Sequence, residues 1–392
     1  MLILISALLF SCEKEISEQQ ADRFIKFYGS YLMDRAGDVE VLSDGGYAIC
    51  GTETSATLGR RMVLILTDAF GNVKSGFPKY FAEEGMETGG NTLIALQDGS
   101  GGFLLSGFVE RPVEGSQQLQ KDIFIVRASA RGEVIWQRSF GSFEDEEVLH
   151  AVEGIDSGFL LAGYRMNNGN SDLMMMGVTE EGDSVRLGLN YNNPYARNSR
   201  ANFLVNAGDK YLCVCTFDKV NGEGTSIQLL TFDDELSPYA KILSKEFNEY
   251  GMALVNEGAG NFLVLGNREG SQGSELILYG IETEGMFIRN ITMYASISEA
   301  GTDLMGERII ENGSRGLVIT GTIRNGSNEE ILLQFVSSSY QEAERVSFGA
   351  SGSQTGKDIE RTGDGGFVIL GTNEHGGSSI ISLMKTNANG EL

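Results

Sequence analysis

Proline and histidine are nearly missing from this chain. Four prolines in 392 residues exclude a collagen-like repeat and a Pro-rich linker. Two histidines, His150 and His375, leave little material for a zinc site or a Ser-His-Asp triad. Net basic charge is missing too: 30 Lys and Arg stand against 54 Asp and Glu, a formal balance of -24. No basic run occurs, so the cationic patch that a phosphate backbone demands is absent and nucleic acid is excluded as a partner. The acidic residues are dispersed, as on a solvated surface. What is abundant is glycine, with 52 residues. Glycine without proline points to the many tight turns of an all-β chain.

The longest apolar run, Met1 to Ser11, is too short to span a bilayer. It reads as a signal segment, residues 1–11, to be left out of the fold. Leu9-Phe10-Ser11-Cys12 resembles a bacterial lipobox, with Phe10 where a small residue is usual. That resemblance implies lipidation of Cys12. No Lys or Arg precedes the run, so a start further upstream is expected. Residues 12–22 are then the lipidated Cys and a polar tether, similar to the charged stretch of surface-exposed lipoproteins of the Bacteroidetes. The expected place is the outer membrane, on the cell surface in preference to the periplasmic face, with membrane contact through the lipid alone.

From residue 23 to 392 one pattern recurs: a turn, an aromatic or Leu, two or three apolar residues, then usually Gly. Clear copies are Asp44-Gly45-Gly46-Tyr47-Ala48-Ile49-Cys50-Gly51 and Asp364-Gly365-Gly366-Phe367-Val368-Ile369-Leu370-Gly371. The anchors are Tyr47, Phe103, Phe159, Tyr211, Phe262, Leu317 and Phe367, spaced by 56, 56, 52, 51, 55 and 50 residues. A period of this size suits one four-stranded blade, and Asp-Gly or Gly-Gly between apolar runs is a hairpin signal. The second unit shows the later strands, Asp122 to Arg127 and Glu133 to Gly141. The last unit stops at Leu392, where a fourth strand should begin, and the first is preceded by an orphan strand, Phe24 to Gly29. Phe24 aligns with Trp136 and Gly29 with Gly141. The N-terminal strand should therefore complete the last blade, which protects the exposed edges. The expected fold is all-β, a seven-bladed β-propeller with four antiparallel strands per blade, closed in preference to an open solenoid.

The repeat resembles a family common in the Bacteroidetes whose copies read Asp-Gly-Gly-Tyr-apolar-apolar-Ala-Gly and later Gly-Asn-x-x-Trp and Phe-Gly. Residues 44–51, 124–141 and 364–371 carry the likeness, which spans nearly all of 24–392. Only one copy keeps the Trp, and the fourth has lost its glycines. The resemblance implies a propeller at the cell envelope and no defined activity.

No catalytic constellation emerges. The turn residues Asp44, Asp98, Asp156 and Asp364 supply one carboxylate each, short of the cluster calcium needs, and read as hairpin residues. Glu144-Asp145-Glu146-Glu147 reads as a solvated loop. His150 lies in a strand and His375 in a Gly-rich loop, and no nucleophile elbow occurs. Cys50, Cys213 and Cys215 read as small apolar core residues, since residues two apart on a strand are poorly placed for a disulfide. No Ser-x-Asp-x-Gly-x-Thr-Trp box of the sialidase type is present. Asp183-Ser184-Val185 resembles the Bacteroidetes O-glycosylation sequon. No metal and no cofactor is expected.

A binding surface should lie on loops that depart from the repeat. The most divergent is Asn192 to Arg200, expected to rim the central channel, with Asn193, Tyr195, Arg197 and Arg200 as interaction residues. The insertion Val109 to Lys121 is a second candidate. The reading is a non-enzymatic protein-interaction or scaffold lipoprotein whose partners are envelope or outer-membrane proteins. Capture of a glycan or peptide on the rim is the alternative, followed by a propeller hydrolase or lyase. The scaffold reading predicts loop-borne aromatic and Arg anchors and no convergent ionisable cluster.

Overall fold

The computed structural model describes residues 22–113, 115, 118–155, 157–187, 198–219, 223–233, 238–244 and 246–392. Within them the chain is all-β, with one short 3-10 turn at Gly313–Arg315 and no α-helix.

The first strand is β1 (Phe24–Tyr28). Five separate antiparallel meanders of four strands follow. They are β2–β5 (Arg35–Val41, Tyr47–Ser55, Gly59–Thr67, Lys79–Phe81) and β6–β9 (Glu87–Ala95, Phe103–Pro112, Leu119–Ala128, Val134–Phe140). Next come β10–β13 (Glu146–Glu153, Phe159–Asn167, Asn170–Val178, Ser184–Leu187) and β14–β17 (Ser199–Asn206, Tyr211–Asp218, Thr225–Phe232, Tyr239–Ile242). The fifth is β18–β21 (Glu249–Gly258, Asn261–Gly270, Gly273–Glu284, Phe287–Ile297). The remaining strands are β22–β25 (Thr302–Glu311, Leu317–Asn325, Asn328–Val336, Glu342–Phe348) and β26–β28 (Ser353–Arg361, Phe367–His375, Ser378–Thr386). With β1 they make one eight-stranded sheet, whose two halves join through a single parallel pair, Glu329 with Ser353.

The turn chemistry explains the repeat. Gly45 takes φ +80° and Gly365 φ +84°, the left-handed region glycine reaches without strain. The second glycine serves another purpose. A Cβ on Gly46 would stand 2.2 Å from the Thr67 carbonyl oxygen, and one on Gly366 would stand 2.1 Å from that of Thr386. The Asp side chain closes the turn by accepting from the amide two residues on, at 3.0 Å for Asp44 and 3.1 Å for Asp364. Lys74, Arg127 and Lys385 pair with Asp44, Asp98 and Asp364.

Every anchor is buried, from Phe367 at 0% exposure to Phe159 at 6%. Each opens the second strand of its meander or lies one residue in. The second and third strands are buried on both faces, which is why they read as continuous apolar runs instead of alternating. Apolar clusters fill the spaces between successive sheets. One joins Cys50 and Leu64 to Leu105 and Phe124, and another joins Val39 and Ile49 to Val368 and Leu383, packing the first meander against β27 and β28. Cys50, Cys213 and Cys215 are free, buried thiols, with the last two sulfurs 3.6 Å apart.

The ends of the chain meet. β1 pairs antiparallel with β28, Phe24 opposite Lys385, just as β9 pairs with β8, Trp136 opposite Arg127. Tyr28 donates its hydroxyl to the Gly71 carbonyl at 2.7 Å. The fourth repeat keeps four strands despite its lost glycines. Two expectations are corrected. Val109 to Lys121 is no free loop, because β7 and β8 stay paired out to Pro112 and Leu119. The acidic run is not a solvated loop: β10 starts at Glu146, which is 3% exposed, and Glu147 is held by Lys121, Asn91 and Tyr164.

Candidate functional site

The first strand of every meander carries the same defect. The ladder skips one residue where β2 meets β3, and the same happens for β6, β10, β14, β18, β22 and β26 against their second strands. The skipped residues are Gly37, Asn91, Leu149, Asn202, Met252, Glu307 and Lys357. A bulge leaves its residue without a ladder partner and re-aims the side chain. Six of these residues, all but Gly37, line one cavity of about 630 Å³. The first strands thus converge on a common axis.

The two ends of that axis differ. At the face where fourth strands connect to first strands, the cavity is ringed by Glu147, Arg200, Tyr250, Glu307 and Lys357. Lys121 pairs with Glu147 at 2.9 Å and Lys357 with Glu307 at 3.6 Å. Burial works against the charge of Glu147, but Lys121, Asn91 and Tyr164 hold its carboxyl below the usual range. Arg200 makes no ion pair among the described residues, and its guanidinium lies 4.7 Å over the Tyr164 ring. At the opposite face a cavity of about 450 Å³ is lined by Glu40, Glu153, Glu360 and the aliphatic side chains of Ile94, Val152 and Ile310.

Between the two lies a buried ionisable cluster, contrary to what the scaffold reading predicts. Asp38 is 8% exposed, Asp358 5% and Arg308 8%. Asp38 accepts from the Leu93 amide at 2.8 Å and the Thr92 hydroxyl at 3.0 Å. Asp358 accepts from the Val39 amide at 2.9 Å and meets the Arg308 guanidinium at 3.4 Å. Burial, and then the charge of Asp38, push Asp358 well above the carboxylate range. Burial also opposes ionisation of Asp38, yet the proton donated by Asp358, the nearby Arg308 and the Leu93 amide hold it low. The two carboxyls are therefore driven apart, Asp358 toward the protonated form and Asp38 toward the ionised one.

His150 stacks on Phe203 at 4.0 Å, while Arg308 lies 4.9 Å over the same ring. Burial and the Arg308 charge lower the imidazole to about 3, so it is neutral. Its Nδ1 is shut off from solvent and has no hydrogen-bond partner. His375 ends β27 and is exposed.

A carboxyl pair sharing a proton can do acid–base chemistry where one oxygen is free for a substrate. Here Asp38 already serves Leu93 and Thr92, and Asp358 serves Val39 and Arg308. The pair staples β26 to β2 and β2 to β6. Sequence reasoning missed it. Its only trace is the shared spacing of Gly37-Asp38-Val39-Glu40 and Lys357-Asp358-Ile359-Glu360, with charge where other copies carry Thr92, Phe203 or Ala253. Of the residues expected to form an interaction surface, Arg200 is the second residue of β14 and lines the cavity on the connection face. Cys12, Asn193, Tyr195 and Arg197 lie outside the described residues, as does Asp156. No three His, Cys, Asp or Glu side chains among the described residues are placed to hold a metal ion.

No family model matches the sequence, and no curated protein matches it. Among solved structures, the β-propeller domain of Nup133 from Vanderwaltozyma polyspora gives a TM-score of 0.46 at 7% identity, over 92% of this chain and 97% of that one. Pyrococcus horikoshii acylaminoacyl peptidase gives 0.49 at 11% identity over 93% of this chain and 55% of that one, so this chain spans about half its length. NanB sialidase from Streptococcus pneumoniae gives 0.49 at 8% identity, over 93% of this chain and 71% of that one. Likeness at this level carries nothing about activity.

Proposed function

We propose that this chain is a seven-bladed β-propeller lipoprotein, held by a lipid on Cys12 at the outer surface of a bacterial outer membrane. It acts without catalysis as a docking module for an envelope protein. The blade count is supported by the seven bulged first strands and by the split eight-stranded sheet, in which β1 supplies the fourth strand beside β28. Ring closure is supported by the Val39–Asp358 hydrogen bond and by the packing of Val39 and Ile49 on Val368.

The observation that carries the docking role is the apolar surface on the connection face. The most exposed large apolar side chains among the described residues are Phe143 at 96%, Leu58 at 63%, Tyr31 at 61% and Leu119 at 59%. All four sit in fourth-to-first connections or at second-to-third hairpins of that face, with Leu32, Met33 and Phe247 nearby in kind. Others stand on fourth strands, Ile135 at 57% and Phe287 at 53%, but the four most exposed share the connection face, which supports an interaction surface there. The test is a pull-down of the lipidated protein from solubilised envelopes, with Cys12→Ala and a Tyr31→Ser, Phe143→Ser pair as controls. Stoichiometric capture of an outer-membrane protein, lost in the pair variant, is expected. A clean monomer, or capture indifferent to both substitutions, removes the docking role.

A glycan or peptide ligand is the second reading. It is favoured by the cavity on the same face, where Tyr250, Arg200, Asn91 and Asn202 give aromatic and hydrogen-bonding groups together. Glycan and peptide arrays test it.

A further inference from the structure

We infer, on the glycan reading of the cavity at the connection face, that its ligand is an acidic sugar whose carboxylate is taken by Arg200. Six charged side chains among the described residues line this cavity of about 630 Å³, and five of them already have a partner. Glu147 pairs with Lys121 at 2.9 Å, Glu307 with Lys357 at 3.6 Å, and Arg308 with Asp358 at 3.4 Å. Asp218 accepts from the Asn198 side-chain amide at 2.6 Å. Arg200 alone has neither an ion pair nor a hydrogen bond from its side chain among the described residues. Its guanidinium is nevertheless held in place. It lies 4.7 Å over the Tyr164 ring, and the Tyr164 hydroxyl donates to Glu147 at 2.9 Å. Stacking orients the guanidinium and leaves its N–H groups free, the arrangement that receives a carboxylate through two parallel hydrogen bonds.

The second observation is a set of groups beside Arg200 that suits hydroxyls. Arg200 stands opposite Thr216 in the β14–β15 ladder, and Asn202 is the bulged residue two positions on. Both amide protons of Asn202 are spent, on the Thr216 hydroxyl oxygen at 2.7 Å and on the Gly251 carbonyl at 2.6 Å. Its side-chain oxygen is left as a fixed acceptor. The Thr216 hydroxyl accepts from Asn202 and from the Gly251 amide at 2.9 Å, so its own proton is left to donate. One acceptor and one donor side by side match the hydroxyls of a sugar. Tyr250, next in the chain to Gly251, lines the same cavity and is 37% exposed. Its hydroxyl donates to Glu269 at 2.8 Å, which pins the ring. A pinned, half-exposed aromatic ring offers a flat face to a pyranose. An acidic side chain of a peptide would engage Arg200 and leave the donor–acceptor pair unmatched. A ring that carries both a carboxylate and hydroxyls, as a hexuronic acid does, meets the whole set.

The test is calorimetric titration of the full chain, at constant ionic strength, with trimers of galacturonic acid and of mannuronic acid, with the methyl esters of both, and with Nα-acetyl-glutamate amide. At least one acid trimer should bind, and its methyl ester about tenfold more weakly, the loss of a charged hydrogen bond. Arg200→Gln should bring the acid down to the level of its ester and leave the ester unchanged. Arg200→Lys should restore only part of the difference, because a point charge lacks the planar fork. Tyr250→Ala should weaken acid and ester alike. Arg200 is exposed, so both of its variants should unfold at the parent's midpoint, which separates lost recognition from lost folding. If no acid and no ester binds at millimolar concentration, the glycan reading falls and the acidic sugar with it. If the ester matches the acid, or Arg200→Gln leaves acid binding intact, the glycan reading stands and the carboxylate role of Arg200 is overturned. Capped glutamate that binds as tightly as the acid trimer assigns the site to a peptide and overturns the sugar.

Discussion

The protonation asymmetry of the axial carboxyl pair makes a prediction that neither burial nor proximity alone would make. Asp38 and Asp358 are equivalent in position and nearly equal in exposure. If one proton sits on Asp358, the two Asp→Asn variants must differ. In Asp358→Asn, the new amide N–H takes over the proton donated to Asp38, and the remaining oxygen still accepts from the Val39 amide, 2.9 Å away, while the Arg308 guanidinium at 3.4 Å loses its acceptor oxygen. The expected loss is about 1–2 kcal/mol. In Asp38→Asn, the amide NH₂ must face either the Leu93 amide at 2.8 Å or the proton of Asp358, donor against donor. Arg308 also loses the one ionised carboxylate in the cluster. The expected loss is about 2–4 kcal/mol, the sum of one unsatisfied buried donor and a weakened charged hydrogen bond. Asp38→Ala goes further, since the Leu93 amide, the Thr92 hydroxyl and Asp358 all lose their acceptor. Roughly 3–6 kcal/mol is at stake, against about 5–15 kcal/mol for a typical whole fold. Guanidinium unfolding at pH 7, comparing midpoints at unchanged m, reads all three. An Asp358→Asn loss equal to or larger than that of Asp38→Asn would place the proton on the other carboxyl and refute the reasoning.

Other expectations follow from single contacts. Glu360, pushed up to about 7 by burial and Asp38, binds a proton in the fold that the unfolded chain has lost between about pH 4.5 and 7. Stability should therefore fall as pH rises through that window. Glu360→Gln should be more stable than the parent at pH 8, by roughly 1–2 kcal/mol after allowance for its partial exposure, and equal to it below pH 4.5; a constant difference across pH would contradict this. Burial pushes the Cys50 and Cys215 thiols well up, and Cys213 is equally shielded. All three should resist a thiol-specific reagent in the folded state and react on denaturation. Deleting residues 22–28 removes the Tyr28–Gly71 hydrogen bond and leaves β28 as an open edge, so the truncated chain should lose several kcal/mol and self-associate. A monodisperse truncation of parental stability would argue against closure by β1.

What the sequence made legible is what the fold uses locally. The anchors recur because each must fill an apolar space between two sheets. Their Asp-Gly-Gly preludes recur because the turn needs one positive φ and one close approach to a carbonyl. The match of Phe24 to Trp136 foretold the β1–β28 pairing, since both strands meet the same basic residue in register, Lys385 or Arg127. The axis was illegible for the opposite reason. Val39 and Asp358 are 319 residues apart, and nothing local to either signals the other. The acidic run at Glu144 looked solvated because Lys121, Asn91 and Tyr164, which engage Glu147, come from other strands and even another sheet. Charge patterning in one dimension cannot distinguish a carboxylate in water from one buried against a lysine.

The bulges explain why function and packing separate so cleanly along each repeat. An inner-strand residue inside the ladder has one side facing a neighbouring sheet, so its size is fixed by the core, as with Val39, Leu93, Leu204 and Ile359. The skipped residue has no ladder partner to satisfy. Its identity runs through Gly37, Asn91, Leu149, Asn202, Met252, Glu307 and Lys357, from no side chain to a full positive charge, without altering the strand around it. The residues just beyond it, from Asp38 to Asp358, vary as widely while the apolar residue that follows stays apolar. A fold built this way can change what lines its axis without changing how its sheets pack. The charge difference between the two ends of the axis is therefore a property of a few positions that the packing leaves free.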